Sequence, residues 1–264
     1  MNIKEFYQPN TLDEAYDKLI ENPNNQVMGG GAWMKLSAAN VDTLIHLGTL
    51  GLEGISETED KIVIGSYATL RQVEKHKAIL SLCDGLLARA ISSVMGIQIR
   101  NVATLGGTVM GRYPFSDIIT ALLALRVTLV FYHQKKISLE EFLKIRKPEK
   151  DLLLFVEIAK EAGHGYFRKV SKTALDFAIL NIAVTKANGK TRITIGARPG
   201  LAELAHKAMD LADSDPSASL EAIGETAKSE LEFSSNSKAS KEYRQELAAT
   251  YVFRGLKAVM SHES

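Results

Sequence analysis

The chain reads as an α+β protein in two domains, and three observations predict that class. Short apolar runs bounded by turn residues, such as Lys61-Ile62-Val63-Ile64-Gly65, have the length and β-branched content of buried strands. Other stretches repeat their apolar residues at helical spacing, as Leu12, Ala15, Tyr16, Leu19 and Ile20 do. A polar, glycine-bearing joint, Lys160-Glu161-Ala162-Gly163-His164-Gly165, interrupts two apolar segments. The joint predicts domains at 1–160 and 161–264, the first split near Gly51 to Gly54 into parts of about 1–53 and 54–160.

Thr11 and Glu14 form a capping box that opens a helix over 11–21, and Asn22-Pro23-Asn24-Asn25 closes it as a turn. Gln26 to Met28 is a brief strand running into Gly29-Gly30-Gly31, and Thr43 to Leu47 is another. After the strand at 61–65, apolar spacing predicts helices over 69–80 and 82–94. Asp117 to Leu125 reads as a short helix, Val127 to Tyr132 and Leu152 to Ile158 as strands. Past the joint, 176–186 is apolar. Asn188-Gly189, between Ala183-Val184-Thr185 and Ile193-Thr194-Ile195, predicts a hairpin, because both residues tolerate the positive φ of its turn. Residues 210–241 read as helical pieces with linkers, and 242–260 as a closing helix carrying Leu247, Tyr251, Leu256 and Val259.

A chain of 264 residues with 45% hydrophobic and 24% charged residues can build an ample globular core. Its net charge of +1 gives no electrostatic case for nucleic acid or an anionic membrane. A single cysteine, Cys83, excludes an internal disulfide and any iron–sulfur cluster ligated by this chain's own cysteines. His46, His76, His133, His164, His206 and His262 are scattered without metal-ligand spacing, so no metal site is expected. The opening residues lack the apolar core of a signal peptide, and no run of about 18 apolar residues could span a bilayer. A cytoplasmic location is expected.

Two glycine-rich stretches carry the functional signal. One is Met28-Gly29-Gly30-Gly31-Ala32-Trp33; the other is Thr104-Leu105-Gly106-Gly107-Thr108, followed downstream by the carboxylate of Asp117. Glycine lets backbone N–H groups approach a ligand, and successive N–H groups make concave sites suited to a pyrophosphate. Two such loops and a carboxylate predict a long nucleotide cofactor held along its length. On this reading Thr104 offers a hydroxyl, and Gly106 and Gly107 offer bare N–H groups. Two uses are open to Asp117, a ligand contact and a cap on the helix it begins.

The segment Ile99-Arg100-Asn101-Val102-Ala103-Thr104-Leu105-Gly106-Gly107, with Pro114 and Asp117, resembles the second flavin loop of the FAD-binding subunits of molybdenum hydroxylases. That family includes the xanthine dehydrogenase and carbon monoxide dehydrogenase medium subunits. Met28-Gly29-Gly30-Gly31 is similar to its first loop. Tyr166-Phe167-Arg168-Lys169-Val170-Ser171 with Asp176 resembles the opening of its C-terminal domain, and Tyr243-Arg244 with Arg254 its basic terminal helix.

The resemblance implies a two-part FAD-binding domain of the vanillyl-alcohol-oxidase (PCMH) type, then a smaller α+β domain of the carbon monoxide dehydrogenase flavoprotein type. It implies cofactor contacts from Met28, Gly29, Gly30, Gly31, Ala32 and Trp33, and from Thr104, Leu105, Gly106, Gly107 and Thr108. Asp117 corresponds to a carboxylate that binds the ribityl hydroxyls, and Arg168 to a basic residue that reaches the flavin. Val94 and Leu154 fall where the family packs an apolar side chain near the cofactor; core packing explains these two equally well. The chain departs from the family at Gly31-Ala32, where side-chain donors are usual, and at Thr108, where Asn is common.

The implied activity is that of an FAD-dependent oxidoreductase subunit, xanthine dehydrogenase-like. Electrons from an iron–sulfur partner subunit, supplied by a molybdopterin partner subunit, would leave through FAD to NAD or another acceptor. No residue is expected to serve as acid, base or nucleophile. Two other readings stand beside it. One is a stand-alone flavin oxidase of the same superfamily; the other is a non-catalytic assembly subunit that has lost FAD, for which Gly31-Ala32 is the hint.

Overall fold

A computed structural model describes residues 2–34, 40–134 and 136–261. The chain begins with β1 (Asn2–Tyr7), α1 (Leu12–Glu21), β2 (Gln26–Met28), β3 (Asn40–His46), β4 (Ile55–Glu57) and β5 (Lys61–Gly65). Helices follow: α2 (Leu70–Lys75), α3 (Lys77–Ser81), α4 (Leu86–Ser92), α5 (Ile97–Arg100), α6 (Leu105–Gly111) and α7 (Asp117–Ala124). Next come β6 (Val127–Phe131), β7 (Ile137–Ser138), α8 (Leu139–Lys144), β8 (Leu153–Ala159), β9 (Gly163–Val170), β10 (Leu180–Ala187), β11 (Lys190–Gly196) and β12 (Glu203–Leu204). The chain closes with α9 (His206–Ser214), α10 (Leu220–Glu230) and α11 (Lys241–Met260).

Contacts divide the chain into two interleaved units. The first takes 1–73, 97–111 and 127–158; the second takes 74–96, 112–126 and 159–264. In the first, a parallel sheet of order β1-β3-β2 places Ile45 opposite Tyr7 on one side and Val27 on the other. The Thr11 hydroxyl caps α1 by accepting the Glu14 N–H at 3.1 Å. Ala15 and Leu19 of that helix pack into a core with Ile45, Leu47, Leu52 and Leu152. A second sheet has the order β4-β5-β8-β6-β7. β1 carries no strand signal of its own, its residues being exposed as far as Phe6. Its strand state comes from pairing with the apolar Val41–Ile45 edge of β3, which local sequence does not reveal.

In the second unit an antiparallel sheet runs β12-β11-β10-β9. The hairpin between β10 and β11 turns on Asn188 and Gly189, both at positive φ, as the sequence predicted. Side-chain alternation gives the sheet two uses. Ile182 and Val184, with Ile193 and Ile195 opposite them, join Val252 and Leu256 of α11 in one core. On the other face the Thr185 hydroxyl donates to the Ala124 carbonyl at the end of α7 at 2.8 Å.

Two local expectations are corrected. The helix expected over 69–80 breaks at His76, which is extended with φ −69° and ψ 131°. The helix expected over 82–94 is confined to 86–92, because Cys83, Asp84 and Gly85 all take left-handed conformations. Gly163 and Gly165 lie in β9; a Cβ on Gly165 would meet the Cys83 carbonyl oxygen at 2.5 Å, so this glycine serves close packing.

Candidate cofactor site

In the first unit, β2 delivers the chain into Gly29-Gly30-Gly31 beside the end of β3, where Met28 pairs with His46. Tyr67 ties the two strands: its hydroxyl donates to the Met28 carbonyl and accepts the Leu47 N–H. Burial pushes this phenol up to about 12. The two glycine stretches touch each other. A Cβ on Gly29 would lie 2.6 Å from the Thr104 hydroxyl oxygen, and one on Gly30 would lie 1.6 Å from the Val102 carbonyl oxygen. Gly31 instead needs its glycine for a φ of +66°. Ala32 and Trp33 follow in a turn, both half-buried.

The second stretch is helical, which corrects the loop expected there. Gly106 and Gly107 lie in the first turn of α6. Thr104 acts as its cap: the Thr104 hydroxyl accepts the Gly107 N–H at 3.1 Å. The Gly106 N–H donates to the Ser66 carbonyl at 2.9 Å, and the Leu105 N–H to that of Ala68 at 2.9 Å. The Thr108 hydroxyl returns to the Thr104 carbonyl at 3.0 Å. The N–H groups expected to be bare are therefore already engaged, and Leu105 itself is core. What remains is shape: Gly107 is exposed and presents backbone without a side chain.

That backbone borders a cavity of about 340 Å³ within the first unit. Val27, Gly29, Tyr67, Gly106, Gly107 and Met110 form one part of its lining, and Lys150, Leu152 and Leu153 another. Leu154, half-buried, packs on the α1 core and accepts the Ser66 N–H through its carbonyl. The Lys150 ammonium donates to the carbonyls of Leu19, Asn22 and Asn25 at the end of α1, at 3.3, 2.8 and 2.8 Å. A cation there complements the helix dipole, and burial holds its pKa below the ordinary lysine value. A concave site of this size, mostly apolar with a few polar groups, suits one part of a nucleotide.

The second unit holds a buried polar cluster around Asp117, which is 6% exposed. Asp117 opens α7, but the cap is its neighbour: the Ser116 hydroxyl accepts the Ile119 N–H at 3.2 Å. The Asp117 carboxylate accepts from the Asn181 amide at 2.8 Å and pairs with the Lys169 ammonium at 3.3 Å. Lys169 also donates to the Ser93 carbonyl at 3.0 Å, and Thr120 donates to the Asn181 side-chain oxygen at 2.7 Å. Burial raises the Asp117 pKa, against the opposing pull of Lys169. Val94, half-buried, follows Ser93 just past α4.

Lys169, which the sequence alone does not single out, is the basic residue of β9 that reaches Asp117. Alternation along β9 sends Lys169 toward Asp117 and Arg168 to the opposite face, where its guanidinium lies over the Tyr251 ring. The strand pattern carried this signal: once Asp117 is placed on one face, only one of two adjacent basic residues can reach it.

A family model described as the FAD binding domain in molybdopterin dehydrogenase matches residues 1–159, and one for the CO dehydrogenase flavoprotein C-terminal domain matches 165–259. The xanthine dehydrogenase FAD-binding subunit of Escherichia coli O157:H7 is 25% identical over 269 residues, covering 93% of this chain and 92% of the relative. The nicotinate dehydrogenase FAD-subunit of Eubacterium barkeri is 32% identical over 133 residues, 48% of this chain and 45% of that one. Among solved structures, quinoline 2-oxidoreductase from Pseudomonas putida 86 superposes with a TM-score of 0.87 at 20% identity, covering 98% of this chain and 97% of that one. Carbon monoxide dehydrogenase from Hydrogenophaga pseudoflava gives 0.87 at 21%, covering 97% of each. The shared fold is the two-part α+β arrangement that the sequence predicted.

Proposed function

We infer the function of this chain from its membership: it belongs to the family of FAD-binding domains of molybdopterin dehydrogenases, matched over residues 1–159 of its 264. It is an FAD-binding oxidoreductase subunit of the molybdenum hydroxylase type. The observation that carries the site is the cavity bordered by Gly29, Gly106 and Gly107. The residues fit a nucleotide cofactor, because backbone lies open there and the flanking walls are apolar. We propose that residues 28–33 and 104–108 hold FAD mainly through shape, the close approach that side-chain-free backbone allows. The Gly31-Ala32 departure follows that pattern, since no hydroxyl is supplied there. In the second unit Asp117 would accept hydrogen bonds from the cofactor's hydroxyls, and Lys169, in place of Arg168, would supply the positive charge. Val94 and Leu154 would contribute apolar surface. A division near residue 160 would separate the FAD-binding part from the C-terminal domain.

When bound, FAD supplies the redox chemistry; the chain binds it, orients it and limits water. The names of the relatives support a wider reading. The chain would work beside an iron–sulfur subunit and a molybdopterin subunit of a hydroxylase complex, with NAD or another acceptor receiving the electrons. Xanthine dehydrogenase-like specificity and a cytoplasmic location belong to that proposal as well. The absorbance spectrum of the purified chain tests the core of it: flavin bands near ~370 and ~450 nm are expected from the cofactor. A colourless protein that takes up no FAD on incubation overturns it. The two glycine stretches contain neither histidine nor cysteine, so acid precipitation should release the flavin.

A further inference from the structure

The face of β9 opposite Lys169 carries a feature that the cofactor reading does not use. The Arg168 guanidinium lies 5.6 Å from the centre of the Tyr251 ring, and that of Arg254 lies 5.1 Å from the same ring. Both arginines are exposed, and among the described residues neither pairs with a carboxylate. Lysines of the same unit do pair: Lys186 with Asp213, Lys228 with Glu246, Lys238 with Asp176. The support beneath is rigid. A Cβ on Gly255 would come 2.6 Å from the Val184 side chain and 3.0 Å from the Tyr166 ring, so α11 is pressed onto the sheet and Tyr251 and Arg254 have a fixed base.

We propose that Arg168, Tyr251 and Arg254 form a docking surface for an acidic segment of a partner protein. A guanidinium over an aromatic ring is held by its charge, not by its N–H donors, so its planar fork can still take a carboxylate bidentately. One ring carries two positive charges, within 5.6 and 5.1 Å of its centre, and among the described residues neither has a carboxylate partner, a cost that an anionic partner relieves. Two separate forks match two carboxylates of an acidic segment better than they match one small anion. Holding the arginines in place beforehand lowers the ordering cost of association, and Tyr and Arg are the residues that dominate interface hot spots. The surface needs no flavin, so it stands apart from the cofactor reading.

The test uses the purified full chain and a fluorescent hexaglutamate peptide at low ionic strength, read by anisotropy. Arg168→Gln and Arg254→Gln should each weaken the peptide by roughly tenfold or more, as expected for a lost charge-assisted pair. The double variant should bind none, and added salt should weaken the wild type. Arg254→Lys, which keeps the charge but loses the fork, should recover only part. The flavin content and melting temperature of Arg254→Gln should match the wild type; if that variant does not fold, Arg168→Gln decides. No binding by the wild type, or equal binding by the variants, overturns the proposal. So does displacement of the peptide by inorganic pyrophosphate at concentrations well below those of the peptide, which would mark a phosphate site.

Discussion

The cavity of the first unit and the Asp117 cluster of the second are built on opposite principles. Around the cavity the decisive groups are missing side chains: Gly29 and Gly30 leave room for Thr104 and Val102, and Gly107 presents bare backbone. Around Asp117 the decisive groups are charges, a carboxylate and an ammonium paired with each other and both more than nine-tenths buried, with Asn181 donating to the carboxylate and the Ser93 carbonyl accepting from the ammonium. Substitutions should therefore act through volume in one region and through charge in the other. Neither response should be mimicked by the other.

The largest effect is expected at Gly30. An added methyl would sit 1.6 Å from a backbone oxygen and 2.4 Å from its carbon, and no side-chain rotation relieves that. Gly30→Ala should cost more than the about 1–3 kcal/mol of ordinary overpacking and leave the first unit unfolded or unable to hold flavin. Gly31→Ala is the control. Its methyl would meet only the Met28 side chain, at 3.5 Å, so the cost is the left-handed backbone alone, about 1–2 kcal/mol. Equal melting temperatures for Gly30→Ala and wild type would show that the two stretches are not packed as described.

Next in size is the buried pair. Asp117→Asn or Lys169→Met alone should cost about 3–5 kcal/mol, because each leaves the partner buried and unpaired. The double variant should regain much of that stability. Flavin affinity separates the roles: if the carboxylate serves the cofactor, the double variant melts near wild type and still binds FAD weakly. Recovery of both properties would make the cluster purely structural. Thermal melts of the apo-protein and FAD titrations of the same samples give the answer.

The same contrast explains what the sequence disclosed. The glycine stretches were legible because a glycine requirement is local, and the order Gly-Gly-Gly, Gly-Gly, Asp survives without knowledge of the fold. Their detailed chemistry was not, since engagement of the Gly106 N–H by Ser66 depends on a contact 40 positions away in sequence. The hairpin at Asn188-Gly189 was legible for the local reason again. Lys169 was hidden by its neighbour: Arg168 and Lys169 look alike in a string, and only strand parity on β9 divides them. β1 was hidden because its strand state belongs to β3.

A moderate effect is expected at Tyr67, which belongs to the cavity but acts through hydrogen bonds. Tyr67→Phe removes the acceptor of the buried Leu47 N–H and should cost about 1–3 kcal/mol. The pH dependence has a definite sign. Burial raises this phenol from 10.0 to about 12, so its contribution is fully present below pH 10 and is lost as pH rises toward 12. Melts between pH 9 and pH 12 should show a falling limb in the wild type that is flattened in Tyr67→Phe. Identical limbs would mean that another group titrates there.

The smallest effect on stability, and the sharpest on ligand, is expected at Gly107. A methyl there would stand 3.0 Å from the Thr104 hydroxyl oxygen and 3.6 Å from the Gly29 Cα, so the cap must shift slightly while the backbone has room. Weakening the cap costs up to about 1 kcal/mol, and replacing glycine by alanine within α6 returns about 0.5–1 kcal/mol. The two nearly cancel, and Gly107→Ala should melt close to wild type. Because that methyl projects where both glycine stretches border the cavity, FAD affinity should nevertheless fall, roughly tenfold for the loss of close backbone approach worth about 1.4 kcal/mol. Gly107→Val should lose flavin more completely, its branched side chain being larger at the same point. Unchanged flavin affinity in Gly107→Ala and Gly107→Val, with unchanged melting, would detach α6 from the cofactor and leave its glycines to the packing of the two stretches alone.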